Sequence, residues 1–229
     1  MFSCMAKEPL SIIPKHIAVI PDGNRRYSQR IFMDSVSGYE QSGDSLQRLL
    51  NWSLDKGIQE LSIFAWSSEN WSRPKEEVDG AMEQLQKALD KWLCDEQEDI
   101  AYVFISTNLE KLPSVLRVKM HNLKLQTSAN SKLTVYIYIS YGFSEDVDRM
   151  ATGRYTTGRY TSDSAIPNNM SEPDLLIRTS GEQRLSNFCM WHLRYTELMF
   201  INPMFPDCDE EVWDSCIDEF STRKRRHGK

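Results

Sequence analysis

The sequence lacks the features that define several protein classes. Its apolar runs are only a few residues long, which predicts no membrane-spanning helix, and its first residues carry no long apolar segment of a secretory signal. It contains neither a Gly-x-Gly-x-x-Gly fingerprint nor a P-loop, so a nucleotide substrate is disfavoured. With a net charge of −6, it also lacks the surplus of Lys and Arg that nucleic-acid binding requires. We therefore expect no integral membrane segment and no nucleic-acid partner.

Cysteine and histidine are few and scattered. The five cysteines include no Cys-x-x-Cys pair, which is typical of free thiols in a reducing compartment. None of the four histidines lies in a His-Glu-x-x-His motif, so no zinc site is predicted. The 229 residues are enough to bury a core without disulfides or a structural metal, and we expect one domain over residues 1–229.

What the chain does contain is an alternation of short apolar strands and amphipathic helices. Most of the strand segments are apolar on both faces, which is typical of a buried parallel sheet. The strongest helix covers residues 76–93, where apolar residues recur every three or four positions. We predict strands at 15–20, 61–66, 101–106, 133–140, 174–178 and 198–201, with further helices at 38–56 and 114–126. The fold class is therefore α/β, with a mainly parallel central sheet flanked by helices.

The segment 150–171 differs from its surroundings. Residues 152–156 are repeated directly as residues 157–161, and the segment is polar without an apolar stripe. We predict a mobile loop. The alternative is a flap whose two arginines contact a phosphate.

Arginine recurs directly after three of the predicted strands, although the chain is acidic overall. Ligands of such sheets bind at the carboxyl ends of the strands, and guanidinium groups bind phosphate oxygens in a bidentate way. Asp22 and Glu197 are hard oxygen ligands that suit Mg²⁺ together with diphosphate oxygens. Each cluster alone could be an ordinary turn or a helix cap, but their coincidence predicts one or two diphosphate sites with a metal. The clusters are Asp22, Gly23, Asn24, Arg25 and Arg26 after the first strand, Ser67, Asn70 and Arg73 after the second, and Arg178, Arg184 and Ser186 after the fifth.

The same segments resemble the signatures of the cis-prenyltransferases, the undecaprenyl diphosphate synthase family. The likeness covers nearly the whole chain in order, and several of its motifs are long. They are His-Ile-Ala-Val-Ile-Pro-Asp-Gly-Asn-x-Arg at 16–26, Phe-Ala-Trp-Ser-Ser-Glu-Asn-Trp-x-Arg-Pro at 64–74, Asp-Leu-Leu-Ile-Arg-Thr-x-Gly-Glu-x-Arg-Leu-Ser-Asn-Phe at 174–188, Tyr-x-Glu-Leu-x-Phe at 195–200, and Arg-Arg-His-Gly at 225–228.

The resemblance implies a homodimeric enzyme with a donor and an acceptor diphosphate site. Asp22 would bind Mg²⁺ where the donor ionises, and Glu197 would complete the metal shell. Ser67 and Asn70 would lie near the reacting carbons, where the proton is removed. Arg226 would reach the diphosphate of the partner subunit. By position, Gly23, Asn24, Arg25, Arg26 and Arg73 would bind the donor diphosphate, and Arg178, Arg184 and Ser186 the acceptor.

The chain departs from the family pattern near these motifs. Arg25 stands where the family usually has Gly, Tyr39 replaces a His, and Ser140 replaces an Asn. Tyr136 and Tyr138 share one face of a strand, and their rings would shorten an apolar product tunnel if that face lines it. The alternative is that both rings pack into the core elsewhere.

These departures favour a short-chain enzyme such as the plant synthase of lavandulyl diphosphate. We therefore predict head-to-middle coupling of two dimethylallyl diphosphates, with Mg²⁺ as cofactor. The alternatives are a head-to-tail synthase of neryl diphosphate, a longer polyprenyl diphosphate synthase and a non-catalytic subunit. If the protein is such a plant synthase and a transit peptide has been removed, we expect a plastid location. Otherwise we expect a cytoplasmic location.

Overall fold

Six parallel strands form one sheet. The computed structural model describes residues 12–31, 35–95, 99–151, 167 and 170–226, without the side chains of residues 35–40 and 150. The predicted α/β fold with a parallel central sheet is confirmed, and each predicted strand ends within one residue of its observed end. The strands are β1 His16–Ile20, β2 Glu60–Ser67, β3 Ile100–Ile105, β4 Leu133–Tyr141, β5 Leu175–Arg178 and β6 Glu197–Phe200. Their order across the sheet is β3-β4-β2-β1-β5-β6.

The helices include three that sequence periodicity did not reveal, namely the first, fifth and sixth. The first and fifth are too short to show a clear apolar stripe. The acidic run at 207–211 leads into the sixth helix. Asp209 caps that helix by accepting a hydrogen bond from the Val212 backbone N–H at 3.0 Å, and acidic residues are favourable at a helix N-terminus. The helices are α1 Asn24–Arg30, α2 Ser35–Asp55, α3 Lys75–Cys94, α4 Ser114–Gln126, α5 Phe143–Ala151 and α6 Glu210–Thr222.

The sheet separates two apolar clusters. The larger cluster packs the sheet against α2, α3, α4 and α6, and it receives Val135, Ile137 and Ile139 of β4. The smaller cluster lies on the opposite face and contains Tyr136 and Tyr138. Side chains of a strand alternate between the two faces, so neighbouring residues of β4 enter different clusters.

Two glycines at and after α2 provide a matched test of backbone strain. A Cβ at either Gly43 or Gly57 would have no heavy atom within 4 Å, but Gly57 has a φ of +73° whereas Gly43 lies within the helix. We expect Gly43→Ala to raise the free energy of unfolding by about 0.4–1 kcal/mol, and Gly57→Ala to lower it by about 1 kcal/mol. Urea denaturation measures both free energies of unfolding. Changes of the same sign would contradict the conclusion that only the Gly57 backbone conformation requires glycine.

Candidate active site

A cavity of about 630 Å³ lies at the carboxyl ends of β1, β2 and β5. It brings together all three arginine-containing clusters that the sequence placed after strands. Among the residues assigned to the site from sequence whose side chains the structure describes, only Glu197 and Arg226 are not part of its lining. The polar lining consists of Asp22, Asn24, Arg25, Arg26, Ser67, Glu69, Asn70, Arg73, Arg178, Glu182, Arg184, Ser186 and Asn187, together with the backbone of Gly23.

The turn between β1 and α1 requires glycine at position 23. Gly23 has a φ of +99°, and a Cβ there would lie 2.8 Å from the Ser180 Oγ and 2.9 Å from the Met204 Cβ. Its backbone N–H donates to the Asp22 Oδ1 at 2.7 Å, and the Asp22 N–H donates to the Thr179 Oγ1 at 2.8 Å. The turn therefore fixes the Asp22 carboxylate at the cavity wall.

Arg178 joins Asp22 to the loop after β5. Its side chain is almost fully buried, and one guanidinium nitrogen donates to the Asp22 Oδ2 at 2.8 Å. The other donates to the Ser186 Oγ at 2.8 Å and to the Arg184 carbonyl. Burial alone would raise the pKa of Asp22, but the hydrogen bonds from Arg178 and from the Gly23 N–H outweigh it and lower that pKa. Asp22 is therefore ionised at neutral pH.

Two acidic residues and one amide that were not assigned to the site complete its wall. Glu182 pairs with Arg26 at 3.0 Å and with Arg184 at 2.5 Å, so one carboxylate holds an arginine from each side of the cavity. Asn187 donates to the Glu69 Oε1 at 2.8 Å. The signal for all three was sequence adjacency, because each lies within three residues of an assigned site residue.

The loop that carries Ser186 is held in an unusual backbone conformation. Ser186 has a φ of +50° and Asn187 a φ of +62°, which non-glycine residues adopt infrequently. The Asn187 side chain also accepts from the Ser144 N–H at 2.9 Å. Contacts to the segment after β2 and to α5 thus position Ser186 opposite Arg178.

The segment after β2 positions Ser67, Asn70 and Arg73. The Ser67 N–H donates to the Asn70 Oδ1 at 3.1 Å, which closes a short 3-10 turn over residues 68–72. Arg73 donates to the buried Glu77 at 2.8 Å, and Arg25 pairs with the same carboxylate at 3.6 Å. The unusual Arg25 therefore lies beside Arg73 on one shared carboxylate.

An apolar cleft of about 120 Å³ continues from the cavity between α2 and α3. Pro21, Asn24, Ala65 and Trp66 line both spaces. Along α3 the cleft extends from Ala81 to Trp92, a rise of about 16 Å. The Trp92 ring stacks on Tyr102 with centroids 4.9 Å apart, and its indole N–H donates to the Gln47 Oε1 on α2 at 3.2 Å. Trp92 therefore closes the cleft at its deep end.

Trp92, rather than the two tyrosines of β4, limits this space. Tyr136 and Tyr138 do not line this cleft, so the prediction that their rings shorten a product tunnel does not hold for this space. Both lie across the sheet from α2 and α3. Tyr138 packs there against Phe188 with ring centroids 4.9 Å apart. The alternative, that both rings pack into the core elsewhere, is correct.

Glu197 does not share a metal with Asp22 in one chain. It is the first residue of β6, level with Leu175 and hence with Ile17 near the start of β1. Asp22 follows the other end of β1, about 16 Å further along the sheet. Glu197 instead pairs with Arg223 at 3.2 Å. The prediction that it completes the shell around Asp22 is therefore wrong within a single chain.

The sequence also predicted roles for Arg226, Tyr39 and the loop 150–171. Arg226 is exposed and follows Arg225, which pairs with Asp174 beneath the start of β5, so Arg226 does not line the cavity of its own chain. The side chain of Tyr39 lies outside the described residues, as does most of the predicted loop 150–171. Their roles stay predictions.

Two hard oxygen groups at the cavity fit Mg²⁺. Asp22 is ionised, and the buried Asn24 Oδ1 has no hydrogen-bond partner in the structure. Mg²⁺ typically takes one or two carboxylates and completes its shell with substrate phosphates and water. Within the described part of the chain, no three His, Cys, Asp or Glu side chains form a metal site of their own. The donor set therefore suits a cation that arrives with a diphosphate.

The α/β fold has an arginine-lined cavity at the strand ends and an apolar cleft beside it, an arrangement that suits a diphosphate with an apolar tail. The family model described as "Putative undecaprenyl diphosphate synthase" matches residues 20–228. The chain belongs to this family, the cis-prenyltransferases. No helix among the described residues is long and apolar enough to cross a membrane.

Bacterial relatives and a plant structure are similar over nearly the whole chain. The ditrans,polycis-undecaprenyl-diphosphate synthase of Xanthomonas oryzae, specific for (2E,6E)-farnesyl diphosphate, is 34% identical over 96% of this chain and 90% of its own. The enzyme of the same description from Legionella pneumophila is 36% identical over 95% and 96%. The crystal structure of lavandulyl diphosphate synthase from Lavandula x intermedia with dimethylallyl diphosphate superposes with a TM-score of 0.83 at 28% identity, covering 95% of this chain and 99% of that one.

Proposed function

We propose that this prenyltransferase extends an allylic diphosphate head-to-tail with isopentenyl diphosphate and makes a polyprenyl diphosphate. The observation that carries the proposal is the continuity of the polar cavity with the apolar cleft between α2 and α3. A diphosphate bound at the cavity could direct its hydrocarbon chain past Ala65 and Trp66 into that cleft. The relatives named for undecaprenyl diphosphate synthesis support this reading over head-to-middle coupling.

The reaction breaks the bond between the allylic carbon and its diphosphate. The terminal alkene carbon of isopentenyl diphosphate bonds to the allylic carbon, which leaves a tertiary cation at its former alkene partner. Loss of a proton from the neighbouring chain carbon then forms the new double bond between those two carbons. Arg25, Arg26 and Arg73 line the donor side of the cavity and oppose the charge that develops on the leaving diphosphate. Arg184 and Ser186 orient the acceptor, and Ser67 and Asn70 lie between the two groups.

Mg²⁺ would be held by Asp22, with the Asn24 side-chain oxygen beside it. When bound, the cation neutralises charge on the departing diphosphate. Arg178 keeps the Asp22 carboxylate ionised and in place before any substrate enters.

A short product is the second candidate, and the size of the cleft favours it. Trp92 closes the apolar space, and the plant enzyme with dimethylallyl diphosphate superposes closely. Under this alternative, two dimethylallyl diphosphates couple head-to-middle and the product stays at ten carbons, as in lavandulyl diphosphate. A ten-carbon head-to-tail product, neryl diphosphate, would also fit.

Substrate combinations separate these functions. Purified protein with Mg²⁺ is incubated with dimethylallyl diphosphate alone, and with isopentenyl diphosphate plus allylic starters of five, ten or fifteen carbons. The dephosphorylated alcohols are then identified by chromatography and mass spectrometry. Products longer than the starter, formed only with isopentenyl diphosphate, are expected. Lavandulol from dimethylallyl diphosphate alone would contradict the proposal and establish the second candidate.

Arg184→Ala is expected to raise the KM for isopentenyl diphosphate by about tenfold, because it removes one charge-assisted contact to the acceptor. The KM of the allylic donor should change by less than twofold. Initial rates with each substrate varied in turn measure both constants. Arg194→Ala is the control, since that exposed arginine pairs with Glu172 outside the cavity. An increase confined to the donor KM would mean that the two diphosphate sites are exchanged.

Pairing with a second copy of the chain is part of the proposal. β6 is an edge strand, and exposed apolar side chains lie on it and on the segment before it. Exposed apolar side chains grouped along one edge are typical of a subunit interface. A symmetric dimer through this edge would let Arg226 approach the partner's cavity. The exposed residues are Met190, Trp191, Tyr195 and Leu198.

Removal of residues 224–229 tests the tail. We expect activity to fall while the dimer measured by light scattering persists. Unchanged activity would eliminate a role for Arg226.

The bacterial relatives give no support to a plastid compartment, and the cytoplasmic alternative stays a prediction.

A further inference from the structure

The charge of the chain is unevenly distributed around α4. Residues 111–132 contain five Lys or Arg and no Asp or Glu, although the whole chain has a net charge of −6. This segment contains all of α4 and the turns on both sides of it. It is therefore a basic region on an acidic protein.

The outward face of α4 also exposes an apolar stripe. Val115, Val118 and Leu125 are 44%, 58% and 59% exposed. At about 100° per residue, the three lie within roughly 80° of one another around the helix, and the exposed Asn122 is the one polar residue of the helix in that sector. The opposite face is buried in the core through Leu116, Met120 and Leu123. The helix thus has apolar residues on both faces, and only one of those faces is covered by the fold.

Basic side chains flank the exposed stripe on both sides. The same helical geometry places Lys119 on one side of it and Arg117 and Lys124 on the other. Lys119 pairs with Asp90 of α3 at 2.5 Å, which anchors one margin of the stripe. An apolar stripe bordered by long basic side chains is the pattern of helices that lie in a bilayer interface.

We propose that α4 docks the protein on the surface of an anionic lipid bilayer. The basic side chains would bind lipid phosphates, while Val115, Val118 and Leu125 enter the boundary between headgroups and acyl chains. Charge complementarity selects an anionic surface, and the apolar stripe favours lipid over a nucleic acid, which would leave these side chains in water. α4 packs on β3, at the opposite edge of the sheet from β6, so pairing through β6 leaves it uncovered.

The docking face lies near the deep end of the apolar cleft. The Gln126 side chain at the end of α4 donates to the Leu93 carbonyl at 3.4 Å, next to Trp92. A bilayer against α4 would therefore lie close to the end of the cleft that receives hydrocarbon. This link to release of a lipid product rests on the proposed function, whereas the docking itself does not.

Vesicle flotation without substrate tests the docking directly. The full-length protein is mixed with vesicles of phosphatidylcholine alone or with added phosphatidylglycerol, at low and high salt. We expect binding only to the anionic vesicles and weaker binding at high salt. A Val118→Ser/Leu125→Ser variant and an Arg117→Glu/Lys124→Glu variant should each lose about tenfold or more in partitioning.

An Ile12→Ser/Lys224→Glu variant is the matched control, because it removes one exposed apolar residue and reverses one exposed charge away from α4. It should bind like the wild type, and thermal melting checks that all variants fold. Absence of binding to anionic vesicles, or equal losses in the control, would overturn the proposal. So would unchanged binding of the Val118→Ser/Leu125→Ser variant, which would indicate a general polyanion site. None of these results depends on prenyl transfer, so failure of the proposed function would be seen separately.

Discussion

Asp22→Asn is expected to lower turnover by about a hundredfold to a thousandfold. The substitution removes the one carboxylate that the turn after β1 fixes at the cavity wall, and with it a ligand for Mg²⁺. Loss of a preorganised electrostatic group typically costs about 3–4 kcal/mol in the activation barrier, which corresponds to this factor. Single-turnover rates at saturating Mg²⁺ and substrate measure it. A rate within tenfold of the wild type would remove Asp22 from the mechanism.

Asp207→Asn is the matched control for this change. Its carboxylate pairs with Arg30 at the surface and does not line the cavity, so its rate should stay within twofold of the wild type. Asn rather than Ala is chosen at position 22 because Arg178 is buried and would otherwise lose every side-chain partner on that side. Circular dichroism then separates a lost fold from a lost catalytic group.

The ion pair between Asp22 and Arg178 makes the stability of the folded protein depend on pH. The pKa of Asp22 is lower in the folded protein than its ordinary value of 3.8, since the hydrogen bonds from Arg178 and Gly23 outweigh the effect of burial. Its contribution is therefore fully present above that ordinary value and is lost as the pH falls through the lowered pKa. Urea denaturation of Asp22→Asn should show a smaller loss of stability over this acid range than the wild type. If the free energies of unfolding of the variant and the wild type fall in parallel as the pH is lowered, the ion pair between Asp22 and Arg178 is contradicted.

The sequence identified most of the residues that line the cavity, because strand ends are local features. Asp22, Ser67 and Arg178 each follow an apolar run directly, and parallel strands bring such ends to one edge. Glu182 and Asn187 were not assigned because their roles depend on partners across the site. Asn187 contacts Glu69, which is 118 positions away in the chain. Spacing alone does not reveal such contacts.

The sequence misled where a prediction depended on which face or which end of the sheet a residue occupies. The alternation of β4 correctly placed Tyr136 and Tyr138 on one face, but it could not show which face of the sheet α2 and α3 cover. Glu197 was misplaced for a related reason, since its position next to a strand did not say which end of the sheet it occupies. Local pattern determines alternation and strand ends, whereas the pairing of helices with faces follows from chain topology.

Trp92→Leu is expected to shift the product distribution upward by at least one isoprene unit. The substitution removes the ring that closes the apolar cleft, together with its stacking on Tyr102 and its hydrogen bond to Gln47. A packed interior admits no additional five-carbon unit without such an opening. The lost packing should also lower the free energy of unfolding by about 2–4 kcal/mol. Product analysis with a ten-carbon starter and isopentenyl diphosphate, together with urea denaturation, measures both effects.

Tyr138→Leu separates the opening of the cleft from a general loosening of the core. Tyr138 is also a fully buried aromatic residue, but it packs against Tyr141 and Phe188 on the opposite face of the sheet. Its replacement should destabilise the protein by a similar amount, because a cavity forms, while product length stays that of the wild type. Longer products from Tyr138→Leu, or an unchanged distribution from Trp92→Leu, would show that hydrocarbon does not enter the space between α2 and α3.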